Sequence, residues 1–145
     1  MVMDNKPQID ADKRGLKHEE LTRKIIGVFY EVYNELGPGF LESVYEGAME
    51  IALAEAGLRV ERQVPVPVWF RGRQVGDFKA DLLIEGLVII ELKAVRAFDP
   101  SHEAQLLNYL RATEIEVGLL LNFGPKPEFK RFAYDNERKR QRSNP

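Results

Sequence analysis

Apolar residues first recur at three- and four-residue spacing. In "LKHEELTRKIIGVFYEVYNELG", Leu21, Ile25, Val28, Phe29, Val32 and Leu36 form one stripe of a helix, stopped by Gly37 and Pro38. A second helix runs from about Phe40 to Ala56 with Leu41, Val44, Tyr45, Ala48 and Ala52 on one face, and Gly57 ends it. The period then drops to two. "VERQVPVPVWF" is a valine-rich strand whose Pro65 and Pro67 lack N–H groups on the same side, which a strand tolerates only at a free sheet edge. Arg71-Gly72 turns the chain into "QVGDFKADLLI", and Glu85-Gly86 turns it into "LVIIELKAV". Asp99-Pro100 reads as N-cap and first residue of a third helix through about Thr113. "EVGLLLNF" is a buried strand and "EFKRFAY" a last edge strand. The order ααβββαββ places the chain in the α/β (α+β) class, with a mixed sheet of four to five strands flanked by helices.

Composition narrows this little. A chain of 145 residues, 44% hydrophobic and 30% charged, suits one globular domain, read here as 16–135, between a disordered segment 1–15 and a basic disordered tail 136–145. No stretch reaches the roughly 18 apolar residues of a membrane span. The N-terminus lacks the apolar run of a secretory signal. The absence of cysteine excludes disulfides, thiolate catalysis and cysteine zinc sites, and fits the cytoplasm. A net charge of −2 excludes a uniformly basic coat, although "ERKRQR" near the end could hold phosphate.

The candidate chemistry lies on two neighbouring strands, where Asp81, Glu91 and Lys93 are spaced D-x9-E-x-K. Ala80, Leu82, Ile84, Val88, Ile90 and Leu92 would make one apolar face, and Glu91 and Lys93 point together off it. The turn decides whether Asp81 joins them. A two-residue loop Glu85-Gly86 pairs Ile84 with Leu87 and sends Asp81 to the far face. A three-residue loop Ile84-Glu85-Gly86 pairs Leu83 with Leu87, sets Asp81 opposite Ile89 and brings it diagonal to Glu91. The odd loop is the expectation. Two converging carboxylates then need a cation or a proton, and hard oxygen ligands without nearby His or Cys suit Mg²⁺ or Mn²⁺. Lys93 can steady negative charge on a phosphate.

Asp81 with Glu91-Leu92-Lys93 resembles the signature of the PD-(D/E)XK nuclease superfamily. Gly39, Glu42 and Tyr45 match the motif of its GxxExxY proteins letter for letter, and "HEAQLLNYL" resembles a further family segment. The likeness runs from about Leu16 to Phe123, with Ala80 where the signature has proline. The resemblance implies a divalent metal held by Asp81, Glu91, the Leu92 carbonyl and Glu42, with Asp81, Glu91, Lys93 and Glu42 catalytic. It also implies substrate contacts from Gln105 and Tyr109. Without it, Glu42 is a first-turn acid complementing the helix dipole. Tyr45 reads as core packing with its hydroxyl turned to the site, and is grouped with the substrate contacts. His102 reads as a surface residue, and Trp69 as a core or rim residue with no stacking role. The function implied is a metal-dependent nuclease acting on nucleic acid, by analogy DNA. The alternatives are a non-catalytic nucleic-acid- or protein-binding module and a structural ion-pair cluster. A free sheet edge also allows a homodimer.

Overall fold

Three helices and five strands follow one another in the computed structural model, which describes residues 16–139. The segment 1–15 and residues 140–145 of the expected tail lie outside the described residues. Helix α1 (Glu19–Leu36) and helix α2 (Glu42–Glu55) precede β1 (Val60–Phe70), β2 (Arg73–Ile84) and β3 (Val88–Lys93). Helix α3 (Pro100–Ala112) crosses to β4 (Val117–Phe123), and β5 (Pro127–Ala133) leads into a short 3-10 turn at Asn136–Arg138. The chain stays folded past Asp135: the Lys139 ammonium donates to the carbonyls of Thr113 and Ile115.

The five strands form one mixed sheet in the order β1-β2-β3-β4-β5, with β3 and β4 parallel and the other neighbours antiparallel. The parallel pair is the one joined through α3, because a hairpin cannot connect parallel strands. β1 lies at an edge, where Pro65 and Pro67 leave no inner ladder short of a donor.

Helices cover both faces. Ile25, Val28, Phe29 and Val32 of α1 and Tyr45, Met49 and Leu53 of α2 pack on Leu82, Ile84, Val88, Ile90, Leu92 and alternate β4 residues. On the other face Leu106, Tyr109 and Leu110 of α3 pack on Val66, Ala80, Ile89 and Leu120. Full burial of one such large apolar side chain contributes about 1.5–3 kcal/mol. No helix among the described residues is long and apolar enough to cross a membrane.

Two expected faces differ. The buried stripe of α2 is Tyr45, Met49 and Leu53, while Leu41 (77% exposed) and Val44 face outward. The helix begins only at Glu42, so Leu41 is its cap and takes no helical direction. Ala80 packs with the α3 layer, whereas Leu82 packs with α1 and α2, so β2 changes face between them. The irregularity is shared with β1. The ladder pairs Arg62 with Leu82 and Val64 with Ala80, skipping the step that contains Gln63 and Asp81, and Gln63 has φ +52°. A left-handed residue within a strand turns the backbone out of the pleat.

Candidate active site

The β2–β3 hairpin sets the site. Glu85 (φ +56°) and Gly86 (φ +67°) are both left-handed, and the Leu87 N–H closes onto the Ile84 carbonyl. A two-residue turn of this hand would pair Ile84 with Leu87. Instead the ladder starts at Ile84 and Val88, leaving Leu87 as an extra residue. The loop is therefore odd but is Glu85-Gly86-Leu87, one residue later than expected, and it lets Val88 rather than Leu87 enter the core. Leu82 pairs with Ile90, and continuing that register by one residue sets Asp81 level with Glu91, not with Ile89.

At that level the strands part, and the two carboxylates replace the missing ladder. The Asp81 N–H donates to Glu91 Oε2 at 2.9 Å, and the Leu92 N–H donates to Asp81 Oδ2 at 2.8 Å. The remaining oxygen of each carboxylate makes no hydrogen bond among the described residues. Glu91 is only 4% exposed, and Asp81 is half-buried. Burial, then the charge of Asp81, pushes the Glu91 carboxyl up to about 8, against the opposing pull of the Asp81 N–H and Lys93. Burial also raises Asp81, helped by the charges of Glu46 and Glu42 and opposed by the Leu92 N–H and Lys93. Two acids forced together with one free oxygen each, and no His or Cys among them, fit a hard divalent cation.

Lys93 follows Glu91 at strand spacing, is half-buried and forms no ion pair among the described residues. Glu42, the first residue of α2, is exposed and in electrostatic reach of both acids. It does not complete a ligand trio: among the described residues no group of three His, Cys, Asp or Glu side chains is assembled to hold a metal ion.

Tyr45 departs from its expected role as a substrate contact. It is fully buried, its ring stacks on Phe123 with centroids 4.2 Å apart, and its hydroxyl donates to the Gly37 carbonyl and accepts from the Phe40 N–H. The tyrosine thus fastens the loop that aims the start of α2. His102 caps α3: its Nδ1 accepts from the Asp99 N–H, while the Asp99 side chain accepts from the Ser101 N–H. Gln105 and Tyr109 share one side of α3, where Gln105 Nε2 donates to the Tyr109 hydroxyl at 3.1 Å. Burial, then the charges of Glu91 and Asp81, pushes the Tyr109 phenol up to about 12, which puts this helix face in electrostatic reach of the acid pair.

Sequence reasoning missed Glu46. It is buried on α2 and accepts from Arg62 Nε at 3.0 Å and from the Gln63 amide at 3.1 Å. It thereby holds the left-handed Gln63 at the level of Asp81. The signal was present in the acids Glu42, Glu46 and Glu50 at four-residue spacing, which share one side of a helix.

Comparisons with known proteins agree with this architecture. No curated protein matches the chain. The crystal structure of SSO0001 is similar in fold with a TM-score of 0.52 and 20% identity, over 64% of this chain and half of that one. The family model of the PD-(D/E)XK nuclease superfamily matches residues 19–132, which takes in both helical layers, all of the sheet but the last residue of β5, and the forked acid pair. With its model matched over most of the chain, this chain belongs to the PD-(D/E)XK nuclease superfamily.

Proposed function

We propose that the domain is a divalent-metal-dependent nuclease that hydrolyses phosphodiester bonds in DNA, and that within the superfamily it is one of the GxxExxY proteins. Nucleases of this superfamily typically use divalent metals. The observation that carries the reading is the pair of buried Glu91 and half-buried Asp81 at the fork, each carboxylate with one oxygen free of hydrogen bonds, and Lys93 without an ion pair, among the described residues. Asp81, Glu91 and the Leu92 carbonyl would hold Mg²⁺ or Mn²⁺, with Glu42 facing the same space from the rim. When bound, such an ion supplies positive charge to the scissile phosphate and acidifies an attacking water. The backbone N–H groups of Asp81 and Leu92 fix the orientation of the two carboxylates before any substrate arrives. The Lys93 ammonium orients the attacking water and offsets charge on the phosphate oxygens. Gln105 and Tyr109 position the strand from the α3 side.

The test is cleavage of labelled single- and double-stranded DNA and RNA with Mg²⁺, Mn²⁺ or EDTA. Wild-type protein should cut DNA only with the metal. Lys93→Ala should cut about 10²–10³-fold more slowly while keeping its fold. No metal-dependent cleavage by wild type, with DNA affinity intact, would replace the nuclease by a non-catalytic binding module. That second reading draws on the backbone-capping role of both carboxylates, which serves the fold without any metal.

A further inference from the structure

A cavity of about 710 Å³ opens between α3 and the far end of the β1–β2 hairpin. Its size lies in the roughly 300–1,000 Å³ range of compact ligand sites. Tyr109 and Gln105 form its wall toward the acid pair. Val68, Trp69 and Phe78 line the hairpin side, and Tyr134 lies with Arg111 and Arg138 at the rim. The lining holds no Asp or Glu.

The hairpin is shaped to present its rings here. Consecutive strand residues normally face opposite sides, yet both Val68 and Trp69 line this groove. The ladder slips beside them, pairing Val68 with Gly76 and Trp69 with Gln74 and leaving Val75 of β2 as the extra residue, and such a bulge bends and twists the hairpin locally. Gly76 makes room for the result: a Cβ there would meet Phe78 Cε2 at 3.0 Å. Phe78 is 49% exposed, with its ring centroid 6.2 Å from that of Tyr109. Across the groove the Arg138 guanidinium lies 4.7 Å from the centroid of the Tyr134 ring. Aromatic rings beside arginines, with Phe78 exposed, Trp69 and Tyr134 partly exposed and no acid among the lining residues, suit unstacked bases joined by phosphates. A base-paired duplex offers no free base faces inside its stack.

We infer that this groove binds an unpaired DNA strand, stacking its bases on Trp69 and Phe78 and holding its phosphates with Arg111 and Arg138. The inference deepens the nuclease reading by naming a single-stranded substrate, and it makes the hairpin end the part of the fold that leads the strand to the Asp81–Glu91 fork.

The chain has a single tryptophan, so Trp69 emission reports on this groove alone. In EDTA, where no cleavage occurs, titrating wild-type protein with oligo(dT) should quench that emission, and a duplex of equal charge should not. Phe78→Ala keeps the reporter and should bind oligo(dT) about tenfold more weakly at unchanged thermal stability. Arg111→Gln should lower the salt slope of binding by about one unit. Quenching equal for duplex and single strand, or affinity unchanged in Phe78→Ala, would overturn the inference. Should Phe78→Ala fail to fold, Trp69→Ala compared with Trp69→Tyr by anisotropy of labelled oligo(dT) decides: removing the ring should weaken binding about tenfold and keeping one should weaken it less, and equal affinity in the two variants overturns stacking. Failure here with metal-dependent cleavage intact removes the groove and leaves the nuclease. Quenching without cleavage removes the nuclease and leaves the groove.

Discussion

Glu91 is the residue on which the site's electrostatics turn. Its carboxyl stands at about 8 in the fold against an ordinary 4.5, so between these pH values the unfolded chain releases a proton that the folded chain keeps. Stability without metal therefore falls as pH rises from about 4.5 toward 8, and levels off above. Glu91→Gln removes this loss. The metal-free variant should melt above wild type at pH 8, with the gap closing toward pH 5, and added Mg²⁺ should stabilise wild type but not the variant. Thermal melts in EDTA and in Mg²⁺ check both. Glu46 acts at one remove, through Gln63 and Arg62. Glu46→Ala leaves those donors without their acceptor, and should cost about 1–3 kcal/mol of unfolding free energy and weaken divalent binding, read by urea denaturation and calorimetry. The residue types of the acid pair and the lysine were legible from D-x9-E-x-K. The role of Glu46 was not, because it depends on a left-handed glutamine in a strand that no pattern of apolar positions announces.

Among the elements, the β2–β3 hairpin decides the chemistry. Its turn takes the left-handed form of a two-residue loop and then spends Leu87 as an extra residue, which restores the parity that puts Asp81 level with Glu91. The alternation of apolar residues on both strands favoured an odd loop. It could not locate it, since pairing Leu83 with Leu87 and pairing Ile84 with Val88 leave the same faces inward. Burial separates the two: Val88 is buried and Leu87 exposed. Gly86 sits at φ +67°, and a Cβ there would meet Arg59 Nη2 at 3.0 Å. Gly86→Ala should cost about 1–2 kcal/mol in urea unfolding with little effect on divalent affinity, because the register is also held by Val88 in the core. The helices were legible to within a few residues from spacing and from Gly37, Pro38 and Asp99-Pro100. On α2 the expected Tyr45, Ala48 and Ala52 pack inward, whereas Val44 and Leu41 are exposed, Leu41 because it precedes the first turn.

Across the whole molecule, the fork lies where two separate cores meet. Leu82, Ile90 and Leu92 belong to the layer under α1 and α2, while Ala80 and Ile89 belong to the layer under α3. An acid pair in that seam is buried by both layers, and its rim is shared by the start of α2 and the middle of α3. The order of elements was enough to expect a mixed sheet with helices flanking it. The seam was not legible, because it needs the change of face in β2 at Asp81. The account stands on that seam holding a cation, and the direct measurement is anomalous diffraction from a crystal soaked in Mn²⁺. A peak contacting carboxylate oxygens of both Asp81 and Glu91, lost in Asp81→Ala, is the expected result. An ordered, catalytically active crystal with no peak between these two side chains would contradict it.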